Sequence, residues 1–268
     1  MDLPEKLYKY EAFSVQSLLN LKNQVVYFAP PSGFNDPYDC ALKADIEEMK
    51  PEETEKFKSI YLAKDWPDHV KEALESKSPD ELRPMLMRGA RAACEEVIEK
   101  FIKSRGVSCF SEVNDELLMW AHYSDKYKGF CLEFDTSTEL FEKAKKVKYA
   151  DEMPTLNALS VFTDGKRGEV LDLFCTKSSA WKYEHEWRVL HSEAGTAYTY
   201  PSEVLTGVYF GPNVSRDVLE VICLVLKGQN PSVRFWQGER SPSTFKVEFQ
   251  EFTYISYLEG QSANKLTR

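Results

Sequence analysis

Ser178 to Leu190 reads SSAWKYEHEWRVL, which sets two carboxylates, two tryptophans, a histidine and an arginine in an otherwise strand-like run. In an extended chain successive side chains point to opposite faces. Glu184, Glu186 and Arg188 then share one face, while Tyr183, His185, Trp187 and Val189 share the other. Two acids on one surface are a candidate reaction centre. The same alternation also describes a half-buried strand, with Trp187 and Val189 against a core and Glu186 paired with Arg188 in solvent. What neighbouring strands bring to that face decides between the two descriptions.

Working outward, strands and helices are mixed without the strict alternation of a doubly wound sheet. Leu7 to Tyr10 reads as a strand, Val15, Leu18 and Leu19 as the apolar face of a helix, and Gln24 to Phe28 as a second strand. The run APPSGFNDPYD that follows is a loop rich in breakers, with Phe34 and Tyr38 to bury. About residues 45–105 form a charged helical insert expected to cover the sheet. Its Ser78-Pro79-Asp80-Glu81 is a capping box, and Leu82, Leu86, Ala90, Ala93, Val97 and Phe101 form one apolar stripe. His69 within it reads as a surface residue. GVSCFS (106–111) and FCLEF (130–134) are strands, and ELLMWAHY (116–123) is a short helix capped by Asn114 or Asp115. Thr136 to Glu139 opens a further capped helix, Val147 to Tyr149 is strand-like, and a helix fills much of Thr155 to Phe174. Gly207 to Phe210 is a strand, and Ser215 starts a helix with Val218, Val221, Ile222, Val225 and Leu226 on one face. Val233 to Trp236, Phe245 to Phe249 and Phe252 to Tyr257 read as the last strands, and the tail from Gly260 is polar. The expected fold is α+β in a single domain over 1–268, with a mainly antiparallel sheet.

With 268 residues, 43% of them apolar, the chain can bury a substantial core. Its formal charge of -9 argues against a general affinity for nucleic acid backbone. Lys143, Lys145, Lys146 and Lys148 are the densest basic run and read as a solvated helix end leading into a strand. The start, MDLPEKLYKY, is unlike a secretory signal, and no stretch approaches a membrane span, so a soluble cytoplasmic protein without membrane partners is expected. Six cysteines without a CxxC pair read as reduced core residues. No GxGxxG, GxxxxGK[ST] or GxSxG signature is present.

Three polar clusters carry the chemistry. The first is Lys9 and Tyr10 on the opening strand, hydrogen-bond donors that also suit an edge strand guarded against aggregation. The second joins Ser108, Ser111 and Glu112 with Trp120, His122 and Tyr123. Hydroxyls beside aromatic faces suit a flat heterocycle and a ribose, although two aromatics three apart on a helix equally describe core. The third is the opening stretch with Lys177 and Trp181. Paired carboxylates suit a reaction that develops positive charge on a sugar carbon, one acid stabilising it and the other activating the nucleophile. A metal held by Glu184, His185 and Glu186 is unattractive, because consecutive strand residues face opposite ways.

The series LYKY, FNDPYD, VSCFSE, LLMWAHYSDKYKGFCLEFD, VKY and K-x-x-x-W-x-x-E-x-EWR, then GVYFGP, resembles a bacterial family catalogued as a domain of unknown function, serial number twenty-nine seventy-one. A second resemblance is to the ADP-ribosyltransferases, whose split antiparallel sheet clamps NAD. It implies that Lys9 holds the dinucleotide, Ser108 or Ser111 supports the NAD site, Glu186 hydrogen-bonds the nicotinamide ribose and Glu184 activates an acceptor. The sequence departs from that pattern in having lysine on the first strand, VSCFS in place of Ser-Thr-Ser, and Arg188 close enough to hold Glu186 in a structural pair.

The leading expectation is an NAD-dependent enzyme cleaving the nicotinamide–ribose bond, with NAD as substrate and a protein, a nucleic acid or water as acceptor. Glu186 and Glu184 are the catalytic pair. Lys9, Tyr10, Ser108, Ser111, Trp120, Tyr123, Lys177 and Trp181 line the nucleotide. The alternative is a non-catalytic nucleotide- or partner-binding module, a sensor or bacterial defence component. A third reading is a metal-dependent nuclease using Asp36, Asp39 and Glu112.

Overall fold

The computed structural model of the chain describes residues 3–45, 51–157, 171–256 and 259. Its regular elements are β1 (Lys6–Glu11), α1 (Val15–Lys22), β2 (Val25–Phe28), β3 (Lys43–Asp45), α2 (Pro51–Leu62), α3 (Asp68–Glu75), α4 (Pro79–Ser104), β4 (Gly106–Ser111), α5 (Leu117–Tyr123) and β5 (Phe130–Asp135). They continue with β6 (Lys145–Lys146), β7 (Lys148–Ala150), β8 (Thr155–Asn157), β9 (Thr176–Ser178), β10 (Glu186–His191), β11 (Thr196–Thr199), β12 (Leu205–Phe210), α6 (Arg216–Gln229), β13 (Arg234–Arg240) and β14 (Val247–Phe252). The class is α+β. No described helix is long and apolar enough to cross a membrane.

The chain divides into two compact units, one of Met1–Ala29, Gly106–Val147 and Ala180–Arg268, the other of Pro30–Arg105 and Lys148–Ser179. The first holds an eight-stranded sheet in the order β14-β13-β12-β5-β1-β4-β10-β6. Every pairing in it is antiparallel except β12 with β13, which are parallel and joined through α6. Alternation divides the sheet into two faces. Leu7, Phe110, Phe130, Leu132, Phe134, Trp187, Val189, Val208 and Phe210 form one core with Leu21 of α1 and Ile222, Cys223 and Leu226 of α6. Burying each such side chain is worth about 1.5–3 kcal/mol, so this face anchors the sheet, as expected for Trp187 and Val189. The opposite face carries a smaller cluster of Tyr10, Met119, Trp120, Cys131, Tyr209 and Val247. Between β1 and β4 the ladder narrows to one registered pair, Tyr8 with Ser111.

The second unit contains α2, α3 and α4 and two short parallel ladders, β3 with β8 and β7 with β9. Ser78 and Glu81 form the expected capping box. The stripe of α4 buries Leu82, Leu86, Ala90, Cys94 and Phe101; Cys94 occupies the core in place of the expected Ala93 and Val97, and Val97 is exposed.

Local readings fail where neighbours outweigh periodicity. In α1 the buried residues are Ser17 and Leu21, whereas Val15 and Leu19 are exposed, because Ser17 is drawn inward by its bond to the carbonyl of Ala12. In the breaker-rich loop Tyr38 is exposed and Asp36, Asp39 and Cys40 are buried, since Asp39 pairs with Lys177. The α5 cap is Glu116, not Asn114 or Asp115. Glu139–Phe141 is a 3-10 turn without a side-chain cap. Strand follows it at β6 and β7, and Thr155–Asn157 is also a strand, not helix. Of the rest of that expected helix, 158–170 falls outside the described residues, as does the tail from Gly260, while 171–173 is helical. Phe245 lies outside β14 and is exposed; β14 ends at Phe252, and 253–256 is not strand.

Candidate functional site

Register assembles a polar line that no single stretch announces. Glu186 on β10 is registered with Ser111 on β4, Ser111 with Tyr8 on β1, and Tyr8 with Glu133 on β5. Beyond Glu133 come Gly207 on β12 and Arg234 on β13. Registered partners share a face, so Glu133, Tyr8, Ser111 and Glu186 form a row across four adjacent strands on the face away from the main core. Gly207 interrupts the row because a ring fills its place: a Cβ there would stand 2.3 Å from Trp236, which stacks on Tyr209 at 4.4 Å between centroids.

At the β10 end the two acids are arranged differently from the strand reading. Glu184 is the last residue of a 3-10 turn, Ser179–Glu184, and His185 has a left-handed backbone (φ 46), so extended structure begins only at Glu186. The acids are therefore not alternate residues of one strand. They are still both buried, at 2% and 3% exposure. The Tyr123 hydroxyl donates to Glu184 Oε1 at 2.5 Å, and Ser111 Oγ donates to the Glu184 carbonyl at 2.7 Å. Arg188, fully buried, donates Nε and Nη2 to the two oxygens of Glu186 at 2.7 and 3.0 Å. This is the fork geometry that suits a carboxylate best. Cys109, registered with Arg188, has its thiol pushed well up by burial and by the charge of Glu186.

At the other end Glu133 gathers four donors. Lys6 Nζ and Thr206 Oγ1 reach Oε1 at 2.7 and 2.6 Å, and Tyr209 and Tyr8 reach Oε2 at 2.8 and 3.3 Å. Burial works against its ionisation, but the hydrogen bonds from Lys6, Thr206 and Tyr209 outweigh it, and the carboxyl lies below its usual range. Burial, reinforced by Glu133, pushes the Tyr8 and Tyr209 hydroxyls up, so both remain donors. Glu133 escaped the sequence reading. Its signal was a carboxylate set within the otherwise apolar run FCLEF (130–134).

The other expected site residues are dispersed. Lys9 lies on the apolar face: it is registered with Leu132, its Nζ sits 5.3 Å from the Phe110 ring centroid, and it donates to the Cys109 carbonyl at 3.2 Å. Alternation along β1 thus turns Lys9 away from Ser111 and Glu186 and presents Tyr8 instead. Ser108, registered with Val189, is on the apolar face too, and its hydroxyl is buried without a partner among the described residues. Trp120 is wholly buried, its Nε1 bonded to the Asn114 carbonyl and its ring against Tyr10 and Phe249, which leaves no surface for a ligand. Tyr10 donates to the Val113 carbonyl at 2.9 Å. Trp181 clusters with His122 and Tyr183 at 5.9–6.5 Å. Lys177 belongs to the second unit, where its buried ammonium meets Asp39 at 3.3 Å. Glu112 accepts from Lys146 and Trp187. Among the described residues no group of three or more His, Cys, Asp or Glu is placed to hold a metal ion.

Residues 119–189 match the family described as a protein of unknown function, DUF2971. The DUF2971 match bears out over that segment the resemblance read from the sequence. It contains Tyr123, Glu133, Glu184, Glu186 and Arg188, which is most of the polar machinery, while Tyr8 and Ser111 lie before it. No curated protein and no solved structure gives a significant match to the chain.

Proposed function

We propose that the polar row binds NAD and that the chain is an ADP-ribosyltransferase-like enzyme, which cleaves the bond between nicotinamide and ribose and passes ADP-ribose to a protein, a nucleic acid or water. The observation that carries this reading is the line Glu133, Tyr8, Ser111 and Glu186 on one sheet face, crossing the place where β1 and β4 share a single registered pair. A mainly antiparallel sheet that opens beside a serine strand, with a glutamate strand next to it, supports a layout like that of the transferases. Lys9 has no part in it.

In the reaction the carbon–nitrogen bond breaks and its electron pair leaves with neutral nicotinamide. Glu186 faces the positive charge that develops on the ribose carbon. The acceptor oxygen forms the new bond and gives its proton to Glu184, which Tyr123 holds in position. Trp181, Tyr183 and His122 supply flat surface for the base.

The two-point clamp of Arg188 on Glu186 favours a second reading, a non-catalytic module that holds a nucleotide or a partner, because an acid so engaged is a weak base. Incubation with NAD separates them. Release of nicotinamide that Glu186→Gln abolishes supports the enzyme; a raised melting temperature with NAD recovered intact supports the module. If NAD is neither consumed nor bound, the enzyme reading fails, and so does a module that holds NAD.

A further inference from the structure

We infer that the Glu133 end of the row is a subsite for a ribose diol, so that the ligand is a dinucleotide whose second ribose carries no phosphate. The inference rests on the NAD reading above and extends it to substrate class. Glu133 stands three interstrand steps from Glu186, about 14 Å along the row, a separation suited to two sugars joined by a linker and not to one. Its side chain is nearly buried, but the Lys6 beside it is 40% exposed, and Tyr8 is half-buried. The carboxylate is therefore reached from the side where those two lie.

The chemistry of the cluster fits a pair of vicinal hydroxyls. A diol donates two protons and offers two acceptors. Glu133 accepts, and Lys6, Thr206 and Tyr8 donate. The Tyr8 contact is the longest of the four at 3.3 Å, so it is the one most readily exchanged for a ligand hydroxyl. Tyr209 at 2.8 Å, with its ring stacked on Trp236, keeps the carboxylate in place meanwhile. An anionic group fits badly. Glu133 is ionised, its carboxyl lying below the usual range, and a phosphate on the diol would bring about 1.5 to 2 negative charges against it. Selection of an unphosphorylated ribose by an acidic side chain is the same chemistry used in dinucleotide-binding sheets of other topology.

The full chain is titrated calorimetrically, and its melting temperature measured, with NAD, NADP and nicotinamide mononucleotide. NAD is expected to bind more tightly than the mononucleotide, and NADP at least about tenfold more weakly than NAD. Glu133→Gln should narrow the gap between NAD and NADP. Lys6→Ala, at a half-exposed position, should reduce the advantage of NAD over the mononucleotide. Equal affinity for NAD and NADP, or for NAD and the mononucleotide, overturns the diol subsite and leaves the NAD reading standing. Failure of all three to bind overturns both.

Discussion

Replacing Glu133 with leucine measures what the row contributes to the sheet. A hydrogen bond to a charged group is worth about 1.5–3 kcal/mol, and one to an exposed lysine much less. Tyr209, buried and 2.8 Å from Oε2, has Glu133 as its acceptor; Thr206 also reaches the Glu133 carbonyl and keeps a bond from Lys6. Lys6 returns to water, and Tyr8 at 3.3 Å loses little. The expected cost is about 2–3 kcal/mol, or a fall in melting temperature of roughly 5–10 °C. Tyr209→Phe should cost about 1–2 kcal/mol and Tyr8→Phe under about 0.5 kcal/mol. The pH dependence follows from the depressed carboxyl: its stabilisation is full above the ordinary value of 4.5 and is lost as pH falls through the lower folded value, so the penalty of Glu133→Leu shrinks in acid. Urea unfolding followed by tryptophan emission reads all four effects. A neutral Glu133→Leu, or a Tyr8→Phe as costly as Tyr209→Phe, would refute the reasoning.

Gly207→Ala puts a Cβ 2.3 Å from the Trp236 ring and should cost about 1–3 kcal/mol; in a Trp236→Ala background the same change should cost almost nothing, and additive effects in the double-mutant cycle would count against the close approach. Ser108→Ala removes a buried hydroxyl without a partner among the described residues and should leave stability unchanged or raise it by up to about 1 kcal/mol in the same urea assay. Lys9→Met should leave any NAD-induced shift in melting temperature intact, because Lys9 faces the apolar core; loss of the shift would return Lys9 to the site.

Much of the architecture was legible. Strand positions at β1, β4, β5 and β12 followed from alternation, and the capping box at Ser78 marked the start of α4. The buried side of the key stretch was readable too, because Trp187 and Val189 are two apart in an extended run. What alternation could not provide was pairing. Within β1 the pattern alone did not say whether Lys9 or Tyr8 faces the acids; that depends on the partners Leu132 and Glu133, which lie more than a hundred residues away. His185 was equally illegible, since nothing in the run EHE marks a left-handed residue that takes Glu184 off the strand. Cluster membership failed for Ser108 for a related reason, since sequence proximity to Ser111 says nothing about which side of the sheet a side chain occupies, and for Trp120 because its ring, on the same face as the row, is wholly buried against Tyr10 and Phe249.

The narrow join between β1 and β4 gives this sheet an unusual grain. Of the residues of β1, all six are registered with β5 and one with β4. Backbone groups along such a seam must find other partners, and the ammonium of Lys9 on the carbonyl of Cys109 is one such substitute, a side chain standing in for a rung. The sheet is thus two ribbons, β14 to β1 and β4 to β6, tied by one rung at Tyr8 and Ser111 and by that lysine. Amide hydrogen exchange should trace this grain without any ligand: protons of β1 and β4 directed into the seam exchange early, and those bonded toward β5 and β10 exchange late.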